Sequence, residues 1–213
     1  MNKYVVILDI GVGNIFSVNN ACKIVGMDTI FTDDIELISN SSGMIIPGVG
    51  SFITAMEKIK SKHLDQIILN YVKIGKPIMG ICLGMQLFFQ SSEEMGHSSG
   101  IGYLKGHVKS FKFDVIDNIK YPKTQIGWNS IHSKNLINKN KIFDGINDGD
   151  LMYFANSYFV DYYSNANSLL SVYGNKKFSS AYIDKNLYLF QFHPEKSGQK
   201  GMLIYKNFKN YIL

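Results

Sequence analysis

Apolar residues along the chain follow two rhythms, and their alternation predicts the fold. Short unbroken runs such as Val5-Val6-Ile7-Leu8, Met44-Ile45-Ile46 and Ile78-Met79 read as strands buried on both faces. Between them lie stretches with helical spacing. Residues 14–25 set Ile15, Val18, Ala21, Cys22 and Val25 on one stripe and stop at Gly26, which makes Cys22 a core residue. Residues 51–60 and 64–74 repeat the pattern before Gly75-Lys76-Pro77 restarts a strand. Strands at 3–9, 28–32 and 43–46 alternating with helices imply βαβ units in an α/β fold, with a mostly parallel central sheet flanked by helices. Met85-Gln86-Leu87-Phe88-Phe89 continues at helical spacing. Residues 96–106, rich in Gly and Ser, then read as a loop. Short alternating segments rich in Tyr, Phe and Val follow to about residue 183 and predict a β-rich second half laid against the α/β half. Its turns fall at Asp117-Asn118, Asn147-Asp148-Gly149 and Gly174-Asn175, and the Lys/Asn run 134–141 reads as a solvated loop. Residues 186–190 form a late strand, and 198–211 a last helix with Met202, Ile204, Tyr205 and Phe208 inward.

Composition narrows the classes without choosing among them. At 213 residues one domain is expected, long enough to bury a sizeable core. No run of about 18 apolar residues exists, so no membrane span is expected. The apolar start ends in an acid and a glycine loop, which reads as strand one and not as a signal peptide. The net charge of +5 comes from lysines scattered along the chain; no Arg is present to make bidentate forks. That pattern describes a solvated surface and argues against nucleic-acid binding. Two cysteines in unrelated contexts imply no disulfide framework, and a reducing, cytoplasmic compartment would suit a working thiol.

Two short stretches carry candidate chemistry. Gly80-Ile81-Cys82-Leu83-Gly84 sits between a strand and a helical segment. A nucleophile on a glycine-flanked strand-to-helix turn has the form of a nucleophile elbow, with sulfur in place of a hydroxyl. The turn needs glycines where a Cβ would clash, and a helix start favours thiolate. A buried structural Cys on a strand is the competing reading. Gln191-Phe192-His193-Pro194-Glu195 follows a strand, where α/β enzymes place chemistry. In an extended segment residues two apart face the same way, so Glu195 would lie beside the His193 ring and fix its tautomer. Cys82, His193 and Glu195 then supply nucleophile, base and orienter in chain order. The Gly11/Gly13 turn lacks the third glycine of a dinucleotide fingerprint.

Together the motifs resemble the class I (triad) glutamine amidotransferases, in particular the glutaminase subunits of imidazole glycerol phosphate synthase. The residues behind this resemblance are Asp9-Ile10-Gly11-Val12-Gly13-Asn14, Pro47-Gly48-Val49-Gly50, Gly80 to Gln86, Ser91-Ser92-Glu93-Glu94, Gly127-Trp128-Asn129 and Gln191 to Ser197. The resemblance implies a single amidotransferase domain over residues 1–213, hydrolysing L-glutamine through a Cys82 thioester with no cofactor or metal. It implies an oxyanion hole from the N–H of Leu83 and that of Gly50, or of Val49 after a peptide flip. It implies that Gln86, Glu94, Ser157 and Tyr158 hold glutamine, although Gln86 alone reads as a partly exposed helix residue. Because free ammonia protonates in water, it also implies a partner: a separate (β/α)8-barrel cyclase subunit forming a heterodimer.

Two departures from the family pattern stand out. Thr124-Gln125-Ile126 replaces Pro-His-Met before Gly-Trp-Asn, and Asn156 replaces His before the Ser/Thr-Tyr pair. They leave open a paralogous glutaminase that feeds another synthase, such as a sugar amidination system. A stand-alone cysteine hydrolase would need neither Gln86 nor Pro47-Gly48-Val49-Gly50. A binding module with a dead site would not need an intact triad. Asp161 and Tyr163 receive no role.

Overall fold

The computed structural model describes residues 3–113, 121–161 and 166–212. The Asp117-Asn118 turn and Tyr163 lie outside the described residues. The chain opens with β1 (Val5–Leu8), α1 (Ile15–Ile24), β2 (Thr29–Thr32), α2 (Ile35–Asn40) and β3 (Gly43–Ile46). It continues through α3 (Phe52–Ser61), α4 (Leu64–Lys73), β4 (Ile78–Ile81), α5 (Leu83–Gln86), β5 (Phe89–Ser92), β6 (Ser98–Ser99) and β7 (Leu104–Ser110). The second half holds β8 (Gln125–Ser130), α6 (Lys134–Lys139), β9 (Leu151–Asn156), β10 (Tyr158–Val160), β11 (Ser168–Tyr173), β12 (Lys176–Asp184), β13 (Leu187–Phe190) and α7 (Gly198–Lys209).

The central sheet has seven strands in the order β11-β12-β13-β4-β3-β1-β2. β2, β1, β3, β4 and β13 are parallel, and β12 and β11 extend them antiparallel. The all-apolar runs of β1, β3, β4 and β13 are buried at every position because helices cover both faces. One core cluster gathers Val18, Cys22, Ile45, Phe190, Tyr205 and Phe208 under α1 and α7; the other gathers Val6, Ile46, Met56, Ile68 and Leu189 under α3 and α4. The expected stripes of α1, α3 and α4 therefore face the sheet. Asn14 caps α1 by accepting from the Ser17 N–H.

Four expectations are corrected. The helix expected across 85–89 is a single turn ending at Gln86, and Phe89 already begins β5. The apolar residues after Gln86 instead serve β5, where Phe89 opens the parallel pairing with β7. Residues 96–106 are not all loop: Ser98–Ser99 pairs with β5, and β7 starts at Leu104. The Lys/Asn run expected to be a loop contains α6, held down by buried Leu136 and Ile137. The β-rich half is not a layer laid against the first half, since β11 and β12 continue the central sheet itself. The apolar pattern does not predict α2. It is six residues long with one buried side chain, Ile38, so periodicity is silent, although Asp34 accepting from the Leu37 N–H is a legible cap.

β13, β4 and β3 are neighbours, and their carboxyl ends lie level, with Phe190 opposite Ile81 and Gly80 opposite Ile46. The loops after these three strands therefore meet at one place, as open parallel sheets arrange.

Candidate active site

Cys82 follows β4 in a backbone conformation that L-residues rarely adopt, φ 51° and ψ −105°. Such a residue costs on the order of 1–3 kcal/mol and persists only where its surroundings hold it. Here glycines do so. A Cβ on Gly84 would lie 2.1 Å from the Ile46 carbonyl oxygen. A Cβ on Gly48 would lie 2.0 Å from the Ile81 oxygen and 2.4 Å from the Leu83 nitrogen. The turn after β3 thus rests directly on the elbow, which only residues without side chains at 48 and 84 permit. Cys82 thus stands on a strand-to-helix turn and not within β4. Because α5 is one turn long, its contribution near the sulfur is that of its first N–H groups; as the first helical residue, Leu83 has no acceptor within the helix.

A cavity of about 210 Å³ opens over the sulfur. Gly48, Val49, Gly50 and Leu83 line one side of it together with Cys82. Gln86, Glu94, Ser157 and Tyr158 line the remainder, with Ala155 and Asn156. Every residue expected to form the oxyanion hole or hold glutamine therefore reaches this cavity. The larger groove of about 600 Å³ lies at the opposite end of the sheet, near Pro77 and Asn186, and holds none of them.

His193 and Glu195 sit behind the sulfur. His193 is 1% exposed, and its Nδ1 is 2.8 Å from Glu195 Oε1. An extended backbone predicts this contact, but the backbone differs. Only His193 is extended, and Pro194–Lys196 form a 3-10 turn with Pro at its start, where its fixed φ and missing N–H fit. The Ser197 hydroxyl donates to the His193 carbonyl at 2.7 Å and accepts from the Tyr153 N–H at 2.9 Å, tying the turn to β9. His193 Nε2 is buried and makes no hydrogen bond. Burial alone would lower the His193 pKa; the nearness of the Cys82 sulfur, followed by the hydrogen bond and charge of Glu195, overcomes it and pushes it up to about 10.

One residue of the site carries no assignment from sequence. Gln191 is fully buried, and its side-chain amide donates to Cys82 Sγ at 3.5 Å. Its Oε1 accepts from Gln86 Nε2 at 3.0 Å, and the same Gln86 nitrogen donates to the Tyr158 carbonyl at 3.0 Å. Gln86 is thus not the partly exposed helix residue that sequence alone suggests but a buried strut, 5% exposed. A polar residue at the end of the apolar run Leu187–Phe190 is the available signal for Gln191. Glu94 Oε2 accepts from the Phe52 N–H at 2.9 Å, which fixes this carboxylate at the start of α3. The Ser157 hydroxyl is 2.7 Å from that of Thr124.

Comparison with known proteins agrees with this geometry. A model of the class I glutamine amidotransferase family matches residues 12–210. The imidazole glycerol phosphate synthase subunit HisH of Bacillus cereus (strain G9842) is 38% identical over 209 residues, covering 98% of this chain and 95% of that protein. HisH of Bacillus mycoides (strain KBAB4) matches to the same extent, 38% over 209 residues. Among solved structures, PurLQS from Thermotoga maritima superposes with a TM-score of 0.70 at 18% identity, covering all of both chains. The glutaminase domain of Trypanosoma brucei CTPS gives a TM-score of 0.64 at 15% identity, covering 99% of this chain and 94% of that one. These structural likenesses speak for the fold; the family follows from the sequence matches. The chain belongs to the class I glutamine amidotransferase family, among relatives named as the HisH subunit of imidazole glycerol phosphate synthase.

Proposed function

We infer that this amidotransferase is the glutaminase subunit of an imidazole glycerol phosphate synthase, releasing ammonia from L-glutamine for a separate (β/α)8-barrel cyclase subunit. The observation that carries the chemistry is the 2.8 Å contact between His193 Nδ1 and Glu195 Oε1 directly behind a strained, cavity-facing Cys82. Cys82 thiolate attacks the side-chain carbonyl of glutamine. The N–H of Leu83 and one from the turn at 48–50 receive the oxyanion, each worth on the order of 3 kcal/mol. His193 protonates the departing nitrogen through Nε2 and then activates water against the thioester, while Glu195 keeps its ring in place. Glu94, with Ser157 and Tyr158, offers acceptors for the substrate's ammonium group. Gln86 has its nitrogen committed, so only its Oε1 remains for glutamine.

Support for a partner comes from the surface next to the cavity. Ile126 and Trp128 of β8, Leu151 of β9 and Val172 of β11 are 70%, 55%, 53% and 48% exposed. They belong to neighbouring strands, and β9 runs on from this face into Ala155 and Asn156 of the cavity wall. An exposed apolar face beside a site whose product must avoid water suits a docked synthase. The free thiols Cys22 and Cys82 suit a reducing, cytosolic setting, and among the described residues no helix is long and apolar enough to cross a membrane.

Glutamate release by the protein alone and with the cyclase plus its nucleotide ligand tests this reading. Strong stimulation by the cyclase is expected. Turnover that stays basal would direct the search to a different synthase, consistent with Gln125 and Asn156 at the departing positions. No turnover with any partner would sink the glutaminase reading.

A further inference from the structure

Two of the residues that depart from the family pattern face each other. Gln125 and Asn156 are directly opposed in the β8–β9 ladder. Their side chains therefore leave it on one face, with Cβ atoms about 5 Å apart. Both are buried, 4% and 6% exposed. Asn156 Nδ2 donates to the Tyr158 carbonyl at 3.0 Å, yet Asn156 Oδ1 and Gln125 Oε1 have no hydrogen-bond partner. A buried acceptor without a donor is unfavourable, and two of them on one face call for a donor that both can share.

Their position says which donor. Asn156 lines the cavity over Cys82. Gln125 lines a second cleft, of about 380 Å³, together with the exposed Ile126, Trp128 and Val172. The opposed carboxamide pair thus links the reaction cavity, which Asn156 lines, to the neighbouring cleft, which Gln125 lines. We propose that Gln125 and Asn156 form a reception site for the product ammonia, which their oxygens hold through its N–H groups on the way out. Bound in this way, ammonia keeps its lone pair free for the next acceptor. Carboxamides stay neutral at every working pH, so the site adds no negative charge that would favour ammonium. The inference rests on the glutaminase reading and deepens it.

Gln125→Met provides the cleaner test, because it keeps the shape and removes the acceptor. Asn156 also ties Tyr158 in place, so its loss would disturb the glutamine site. The protein is incubated with glutamine and [15N]ammonia, and label in the remaining glutamine amide is read against glutamate release. Label enters when ammonia attacks the Cys82 thioester: the C–N bond forms, the C–S bond breaks, sulfur leaves as thiolate and His193 takes the proton. The ratio of exchange to hydrolysis should fall about tenfold in Gln125→Met, the loss of one hydrogen bond. Its thermal midpoint should match or exceed that of the parent, since an unpaired buried acceptor has been removed. An unchanged ratio, or no label with the parent protein, overturns the site. A lower midpoint with an unchanged ratio makes Gln125 a structural strut. A parent that releases no glutamate is a different result: it overturns the glutaminase reading and this site with it.

Discussion

Cys22 and Cys82 are both buried free thiols, 0% and 6% exposed, and their surroundings differ in every respect that matters for reactivity. Cys22 lies within α1, in regular helix, surrounded by core. Burial pushes its thiol up to about 12, a small opposing contribution coming from a backbone hydrogen bond. Cys82 stands at φ 51° on a turn braced by Gly48 and Gly84, with the Gln191 amide donating to its sulfur and His193 behind it. Only the elbow sets a hydrogen-bond donor and a protonated imidazole beside the sulfur. Burial makes a cysteine inert unless the backbone aims it at compensating groups.

The largest expected effect separates the two directly. Cys82→Ala should bring glutamate release to background with the fold retained. Cys22→Ala should leave kcat within about twofold and lower stability by about 1–2 kcal/mol through lost packing. Glutamate assays and urea unfolding of both variants make the comparison. Next in size, Glu195→Gln keeps the shape of the orienting side chain and removes its charge. It should lower kcat by about 10³–10⁴ with a smaller change in KM, as loss of an orienting carboxylate does in other triads.

The last effect concerns pH and is read on stability, not on turnover. His193 holds its proton more tightly in the folded protein than in the unfolded chain, up to about 10 against the ordinary 6.5. Its stabilisation is therefore complete below about pH 6.5 and is lost as the pH rises toward 10. Urea midpoints should decline across that window. His193→Asn should flatten the decline, and an equal slope in both proteins would show that the proton is not held there.

The same contrast explains what can be read from the chain. The parallel sheet is legible because β1, β3, β4 and β13 are uniform apolar runs, and α1, α3 and α4 carry clean stripes against them. The short elements are not. α2 and α6 bury one or two apolar side chains each, too few to set a period. The second half deceives in another way: alternation announces strands but not their partners, so β11 and β12 cannot be assigned to the central sheet from pattern alone. At the site, Cys82, His193 and Glu195 are legible because each stands at a strand end within a motif whose spacing has a mechanical reason. Gln191 is not, because its role depends on Gln86, 105 positions earlier in the chain. Opposed Gln125 and Asn156 are visible only as two separate departures until the β8–β9 register pairs them.

Acid-quenched protein mixed with glutamine tests most directly whether Cys82 forms the glutamyl thioester. Mass spectrometry of the digested protein should find the glutamyl group on the peptide containing Cys82, and none on that containing Cys22. It should accumulate further in Glu195→Gln, where hydrolysis by His193 is slowed. An adduct on Cys22, or glutamate release persisting in Cys82→Ala, would contradict the account.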